Sequence, residues 1–158
     1  MPAAKRTDIL GQDLKALYRI GGGRYEDVDY ARVETQASNG HILEELATVG
    51  GVDNAVQAII HRLKTRQGEL AGLGHPGYGS RHHELIGEPN TENNRNLVKL
   101  YILQALAQEP RIQKILSADI AYDRAVAPDQ VEIDLSLTFI GAPAPVDLVI
   151  PFSFGGVL

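Results

Sequence analysis

The chain has 158 residues, a length at which one domain buries roughly two-thirds of its unfolded surface. It lacks Cys, which excludes disulfides and thiolate metal sites. A formal net charge of −5, with no concentrated run of Lys or Arg, argues against nucleic acid as a partner. No apolar run approaches the ~20 residues of a membrane span, so a soluble protein with no membrane partner is expected.

The first third of the chain is predicted to be an arm of short strands. Residues 1–51 contain the glycine run at 21–23 and the hairpin-type turn Asn39–Gly40, with loosely alternating residues between them. This alternation favours strands over helices.

The first predicted helix follows at Asp53, which is placed to cap it. It ends near Thr65 or Arg66. Its apolar stripe has the spacing i, i+3, i+4 and i+7 and consists of Val56, Ile59, Ile60 and Leu63.

Residues 67–90 hold six glycines and two prolines, a density that predicts a loop, either ordered or disordered. A second helix is predicted from the cap Thr91 to the residue before Pro110. Its wide apolar face suits burial on two sides and comprises Leu97, Val98, Tyr101, Ile102, Ala105 and Leu106.

Period-two patterns dominate the rest of the chain. They predict a hairpin of strands at about 116–122 and 131–139 around a turn at Pro128–Asp129, a stiff linker at 141–145, and a last strand. Pro151 assigns that strand to a sheet edge. Its apolar face consists of Val146, Leu148, Ile150, Phe152 and Phe154.

Several motifs resemble chemical sites but fail on spacing or context. Residues 72–77 match a dinucleotide fingerprint, yet a helix precedes them and Pro76 interrupts them. Residues 83–87 miss a zinc-protease motif because Gly87 replaces the second ligand. The histidines at 75, 82 and 83 are expected to be ordinary packed or surface residues. The acidic residues at 69, 84 and 88 fit a glycosidase pair only by chance, so we predict no catalytic residue, no metal and no cofactor.

Glu109–Pro110–Arg111 places a carboxylate at a helix C-terminus, where the dipole disfavours negative charge by ~0.3–1 kcal/mol. Such a Glu is expected to hold a cation. This cation could be Arg111 or an Arg of a neighbouring chain, and the alternative is a solvated helix end with two unrelated charges.

These signals together resemble the baseplate wedge and tail sheath initiator family of contractile-tailed phages and related contractile injection systems, historically described as lysozyme-like. The resemblance covers about two-thirds of the chain. It rests on residues 8–14, 54–63, 65–70, 75–81, 85–90 and the Glu109–Pro110–Arg111 turn.

The resemblance implies an α+β fold in which two main helices pack on a small, mainly antiparallel sheet with an extended C-terminal edge strand. It implies a non-enzymatic baseplate component of a virion tail or equivalent machine, assembled in the bacterial cytoplasm. Implied partners are the tail sheath protein, larger baseplate wedge proteins, central tube or hub proteins and ring-forming copies of the chain itself. The resemblance also implies that the last strand, residues 146–154, adds to sheath subunits and so anchors and starts the sheath. Glu109, Pro110 and Arg111 then serve structure or contact.

We therefore interpret residues 1–158 as a single domain with an arm (1–51), a body (52–140) and a linker with docking strand (141–158). Deleting the last segment is expected to leave a folded body. Two rival functions stay open: a peptidoglycan-cleaving hydrolase using Glu69 and Glu84, and a small adaptor domain on the same fold.

Overall fold

The structure, a computed structural model, describes residues 9–21 and 24–155, and the remaining parts of the predicted arm and C-terminal segment lie outside this range. The fold is mixed α+β with small antiparallel sheets. Neither helix is long and apolar enough to cross a membrane within the described range. The elements are β1 (Gln12–Leu14), β2 (Ala16–Gly21), β3 (Arg24–Tyr30), β4 (Arg32–Gln36), β5 (Ile42–Leu46), β6 (Thr48–Gly50), α1 (Gly51–Lys64), α2 (Glu92–Leu106), β7 (Ile112–Ala121), β8 (Gln130–Phe139) and β9 (Ala142–Ser153).

Three two-stranded ladders build the predicted arm: β1 with β6, β2 with β3, and β4 with β5. They meet at a ring of three backbone hydrogen bonds. Lys15 N–H donates to Ala47 O, Ala47 N–H to Ala31 O, and Ala31 N–H to Lys15 O, each at 2.8 Å. Short strands, as predicted for this region, are present between residues 12 and 21 and between residues 24 and 50.

Two buried polar side chains of α1 hold the base of the arm. Asn54 Nδ2 donates to Leu10 O at 2.8 Å. The Gln57 amide accepts from Ala16 N–H at 3.0 Å and donates to Leu14 O at 2.7 Å. Buried amides normally require such partners, and here the arm backbone supplies them. The arm is therefore fixed to α1 at its base.

The start of α1 differs from the prediction. Gly50 is its N-cap and makes no side-chain cap bond, whereas Asp53 lies in the first turn. Gly51 N–H instead donates to Gly11 O at 3.3 Å, so the arm replaces the cap. The helix dipole still favours the carboxylate at Asp53.

The loop between the helices is ordered by backbone bonds and a close approach at Gly79. Ser80 N–H donates to Thr65 O at 2.9 Å, and Gln67 N–H donates to Ser80 O at 3.1 Å. Gly79 has φ +100°, and a Cβ there would lie 2.5 Å from Thr65 O. Short 3-10 helices form at Ala71–Leu73 and His82–Leu85.

The second helix begins as predicted, since Thr91 Oγ1 accepts from Asn94 N–H at 3.2 Å. It ends at Leu106, earlier than the proline rule suggests, and residues 107–110 form a turn. One hydrophobic cluster joins both helices to β8 and β9. Its α2 members are Val98, Ile102, Ala105 and Leu106.

The largest sheet has the order β7-β8-β9, with antiparallel pairing throughout. The predicted alternation holds in β8, whose buried residues are Val131, Ile133, Leu135, Leu137 and Phe139. In β7 the pairing with β8 shifts register twice, and the shifts change which side chains face the core. Of the predicted inward residues, Ala118 and Ile120 pack against the core, whereas Leu116 and Tyr122 are exposed and Ile115 packs inward instead.

The C-terminal segment corrects the predicted division of the chain. Residues 142–145 belong to β9 and not to a linker, because the chain turns at Ile140 and Gly141 and Ala142 already pairs with Phe139. Ile150, Phe152 and Phe154 are buried in the common core. Deleting 141–158 would therefore remove core side chains, contrary to the sequence-based expectation.

Candidate functional site

The Glu109 carboxylate lies between two guanidinium groups. Arg111 Nε donates to Glu109 Oε1 at 2.6 Å, and Arg62 Nη2 donates to Oε2 at 3.3 Å. The Arg111 backbone N–H adds a third bond to Oε1 at 3.3 Å. Glu109 is only 5% exposed. This corner, formed by Glu109, Pro110, Arg111, Arg62 and Tyr78, joins the end of α1 to the turn that leads into β7.

The charges at the corner favour an ionised Glu109. Burial alone would raise the pKa of Glu109, but the hydrogen bonds and charge of Arg111, with the charge of Arg62, outweigh burial and lower this pKa. The hydrogen bond to Glu109 in turn raises the pKa of Arg111. A carboxylate held in this way binds cations and is a poor proton donor near neutral pH.

Sequence reasoning identified Glu109 and Arg111 but missed Arg62 and Tyr78. The Arg62 guanidinium carbon lies 4.5 Å from the centre of the Tyr78 ring, and burial raises the pKa of Tyr78. Arg62 Nε is buried without a hydrogen-bond partner in the described part of the chain. In the sequence, Arg62 is one of three basic residues in the last turn of α1, so its spacing did not distinguish it.

The predicted docking side chains of β9 are used inside this molecule. Ile150, Phe152 and Phe154 are buried, and Val146 and Leu148 pack against the same cluster. The apolar face of the strand therefore already has a partner. A contact through this strand would have to use its backbone edge.

The backbone register shows which groups of β9 point away from β8. Phe154 N–H donates to Asp129 O at 2.8 Å, which makes this a hydrogen-bonded pair that extends the ladder. Because such pairs alternate along an antiparallel ladder, the outward positions are Asp147, Val149, Pro151 and Ser153. Pro151 has no N–H, and β3 approaches β9 from the arm. Val149 already has an interaction partner, so Asp147 and Ser153 are the outward positions relevant to an added strand.

Two acidic residues of the central loop, Glu69 and Glu84, have local hydrogen-bond partners. Glu69 Oε2 accepts from Arg66 N–H at 3.1 Å. Glu84 makes two bonds of 2.9 Å to Arg81, and the Arg81 hydrogen bond lowers the pKa of Glu84. Both are exposed, as is Glu88. The general acid of a glycosidase requires a raised pKa, whereas the pKa of Glu84 is lowered.

The loop histidines make structural contacts. His82 is buried with Nδ1 2.7 Å from Ser80 Oγ, and His83 Nε2 donates to Leu63 O at 2.8 Å. Burial, with a smaller effect of His83, lowers the pKa of His82 to about 3. His75 is exposed. Among residues 9–21 and 24–155, no group of three His, Asp or Glu side chains is arranged to hold a metal.

Comparison with known proteins gives a likeness of fold. No family model and no curated protein matches the chain. A solved structure from Geobacter sulfurreducens, of a protein that has been assigned the name tail lysozyme, superposes with a TM-score of 0.57 at 21% sequence identity. The match covers 67% of this chain and 93% of that one. The two chains therefore share a fold.

Proposed function

We propose that this chain is a structural, non-enzymatic component of a contractile tail baseplate, and that it starts the tail sheath by pairing the outer edge of β9 with a strand of a sheath subunit. The fold shared with a protein named a tail lysozyme supports the setting. The observation that carries the docking role is the position of β9 at one end of the order β7-β8-β9.

The way β9 is attached suits an anchor that must resist force. A ladder of backbone hydrogen bonds to β8 runs along one side of β9. Ile150 and Phe152 of the strand, and Phe154 just after it, are buried in the core. Tension on an added strand would therefore pass into the whole body.

The acidic groups support a role without catalysis. Glu109 is buried and held ionised by two Arg side chains, and Glu84 is paired with Arg81. Neither group has the raised pKa of a general acid. We propose that the corner instead sets the geometry of α1, the loop and β7, with partly exposed Arg111 available to larger wedge proteins.

The test uses an outward position of β9, with the chain co-expressed with a contractile sheath protein and its tube protein. Asp147→Pro removes one outward N–H while leaving the ladder to β8 intact, and Asp147→Ala is the matched control. Loss of this hydrogen bond should weaken docking by about 1 kcal/mol per subunit. Each copy of the chain in the proposed ring would lose the same bond. Negative-stain microscopy should then show fewer sheathed tubes for Asp147→Pro alone. Equal counts for both variants would exclude docking at this edge.

A peptidoglycan hydrolase is the second candidate, favoured by the name of the structural neighbour. A muralytic assay on purified protein, with Glu69→Gln and Glu84→Gln as variants, separates the two. Activity that disappears in either variant would replace the structural role by a catalytic one.

A further inference from the structure

The β4–β5 hairpin extends from the three-ladder junction and exposes apolar side chains. Val33, Ile42, Leu43 and Leu46 are 44%, 70%, 48% and 48% exposed. The hairpin belongs to a two-stranded sheet, and a lone two-stranded ribbon is marginally stable in water. This composition suggests that another chain covers part of it.

The two edges of this hairpin differ in chemistry. Ala37 N–H donates to His41 O at 2.9 Å and Ala47 N–H to Ala31 O at 2.8 Å, so both ends of the ladder are hydrogen-bonded pairs. Alternation from these pairs leaves the backbone groups of three residues on each strand pointing outward. On β4 they belong to Arg32, Glu34 and Gln36, and on β5 to Ile42, Glu44 and Leu46.

Charged and polar residues protect the β4 edge, as natural sheet edges commonly do. The β5 edge instead presents an apolar, an acidic and an apolar side chain on one face, because residues two apart in a strand share a face. An added strand would bond to the backbone of Ile42, Glu44 and Leu46 and meet these three side chains.

The charge of the hairpin indicates a basic partner. Glu34 is directly opposite Glu44, in a pair of the closer, non-hydrogen-bonded kind, where like charges repel. One guanidinium, that of Arg32, contacts Glu44 at 3.4 Å, and both side chains are more than half exposed. A cation from a partner would relieve this repulsion.

We propose that β5 accepts a strand from a partner protein whose facing side chains read apolar, basic, apolar. This site is separate from β9 and does not depend on the proposed sheath contact. A second copy of the chain fits poorly, because antiparallel pairing of two β5 edges centred on Glu44 would oppose the two Glu44 carboxylates. Nucleic acid and anionic lipid would meet the same negative charge.

The arm is preorganised for such binding. The ring of hydrogen bonds at Lys15, Ala31 and Ala47 and the clamps from Asn54 and Gln57 fix its base. The end of the hairpin at Ala31 and Ala47 is therefore held in place before a strand is added, which lowers the entropic cost of binding there.

The test measures binding of a fluorescent peptide, Thr-Val-Thr-Lys-Thr-Val-Thr, to the whole chain by anisotropy, beside a twin with Glu in place of Lys. The basic peptide should bind about threefold to tenfold more tightly, because the twin replaces an exposed opposite-charge pair at Glu44 by an exposed like-charge pair. Glu44→Lys should reverse this preference. Glu44→Pro, which removes an outward N–H, should abolish binding of both peptides.

Glu34→Pro is the matched control, because it removes the equivalent outward N–H from β4 and should leave binding unchanged. Circular dichroism of each variant checks that the arm remains folded. Equal affinity for the two peptides, or loss of binding in Glu34→Pro but not in Glu44→Pro, would overturn the proposal. Self-association in analytical ultracentrifugation that is lost in Glu44→Pro would overturn it in favour of a second copy.

Discussion

Replacing Glu109 by Leu should reveal the cost of a buried, unpaired guanidinium. The Arg62 side chain is 10% exposed, and its charged partner in the structure is Glu109. Its Nε has no hydrogen-bond partner among the residues that the structure describes. Breaking a buried pair from one side costs about 3–5 kcal/mol, whereas replacing both partners by apolar residues is often close to neutral. Glu109→Leu should therefore destabilise the chain by about 3–5 kcal/mol. The double variant with Arg62→Leu and Glu109→Leu should be destabilised by clearly less.

Urea unfolding of the wild type, the two single variants and the double variant gives the coupling free energy directly. We expect a coupling of about 3 kcal/mol or more between Arg62 and Glu109, because one single change costs about 3–5 kcal/mol and the double change much less. Arg81→Leu combined with Glu84→Leu is the control, since that pair is about half exposed and should couple by less than about 1 kcal/mol. Additive effects at Arg62 and Glu109 would refute the argument that their charges compensate each other inside the fold.

Three further predictions concern the loop, the histidine and the corner. Gly79→Ala should destabilise the fold by about 2–4 kcal/mol because its Cβ would collide with the Thr65 carbonyl, whereas Gly72→Ala, with nothing within 4 Å, should stay within about 0.5 kcal/mol in urea unfolding. His82 is neutral in the folded state with a pKa of about 3, so the unfolded chain binds the extra proton below its ordinary pKa. Unfolding free energy should therefore fall as pH drops from about 6.5 toward 3, by about 3 kcal/mol at pH 4.5, and His82→Gln should remove that part of the loss. Arg111→Ala should weaken co-purification with wedge proteins more than it lowers the melting temperature, and an equal loss in both would make the corner purely internal.

Elements with a strong local pattern could be predicted from the sequence. The alternation in β8, the Thr91 cap and the stripe of α1 depend on residues close in the chain, and the structure agrees with each. The register of β7 could be predicted only in part. Ala118 and Ile120 face the core as the alternation indicates, but the shift between Ile115 and Ser117 leaves Leu116 exposed and Ile115 packed inward. Such irregularities are set by tertiary packing and not by alternation.

The candidate sites show the same limit. Glu109 and Arg111 are two residues apart, so the sequence offered their pairing as one of several possibilities, whereas Arg62 reaches Glu109 from 47 positions away. The last strand was predicted as a strand with an apolar face, but the alternation of residues does not indicate what covers that face. In the structure, Ile150, Phe152 and Phe154 are buried in one core with residues of both helices. This packing depends on where the two helices lie, which the sequence of the strand alone does not show.

The most direct test of the sheath-anchoring account is hydrogen–deuterium exchange of peptides spanning 146–154, measured with and without the tail sheath protein. The account predicts that outward amides at Asp147 and Ser153 exchange more slowly when the sheath protein is bound, while amides already bonded to β8 change little. A stable complex in which these peptides exchange at the same rate as in the free chain would contradict it.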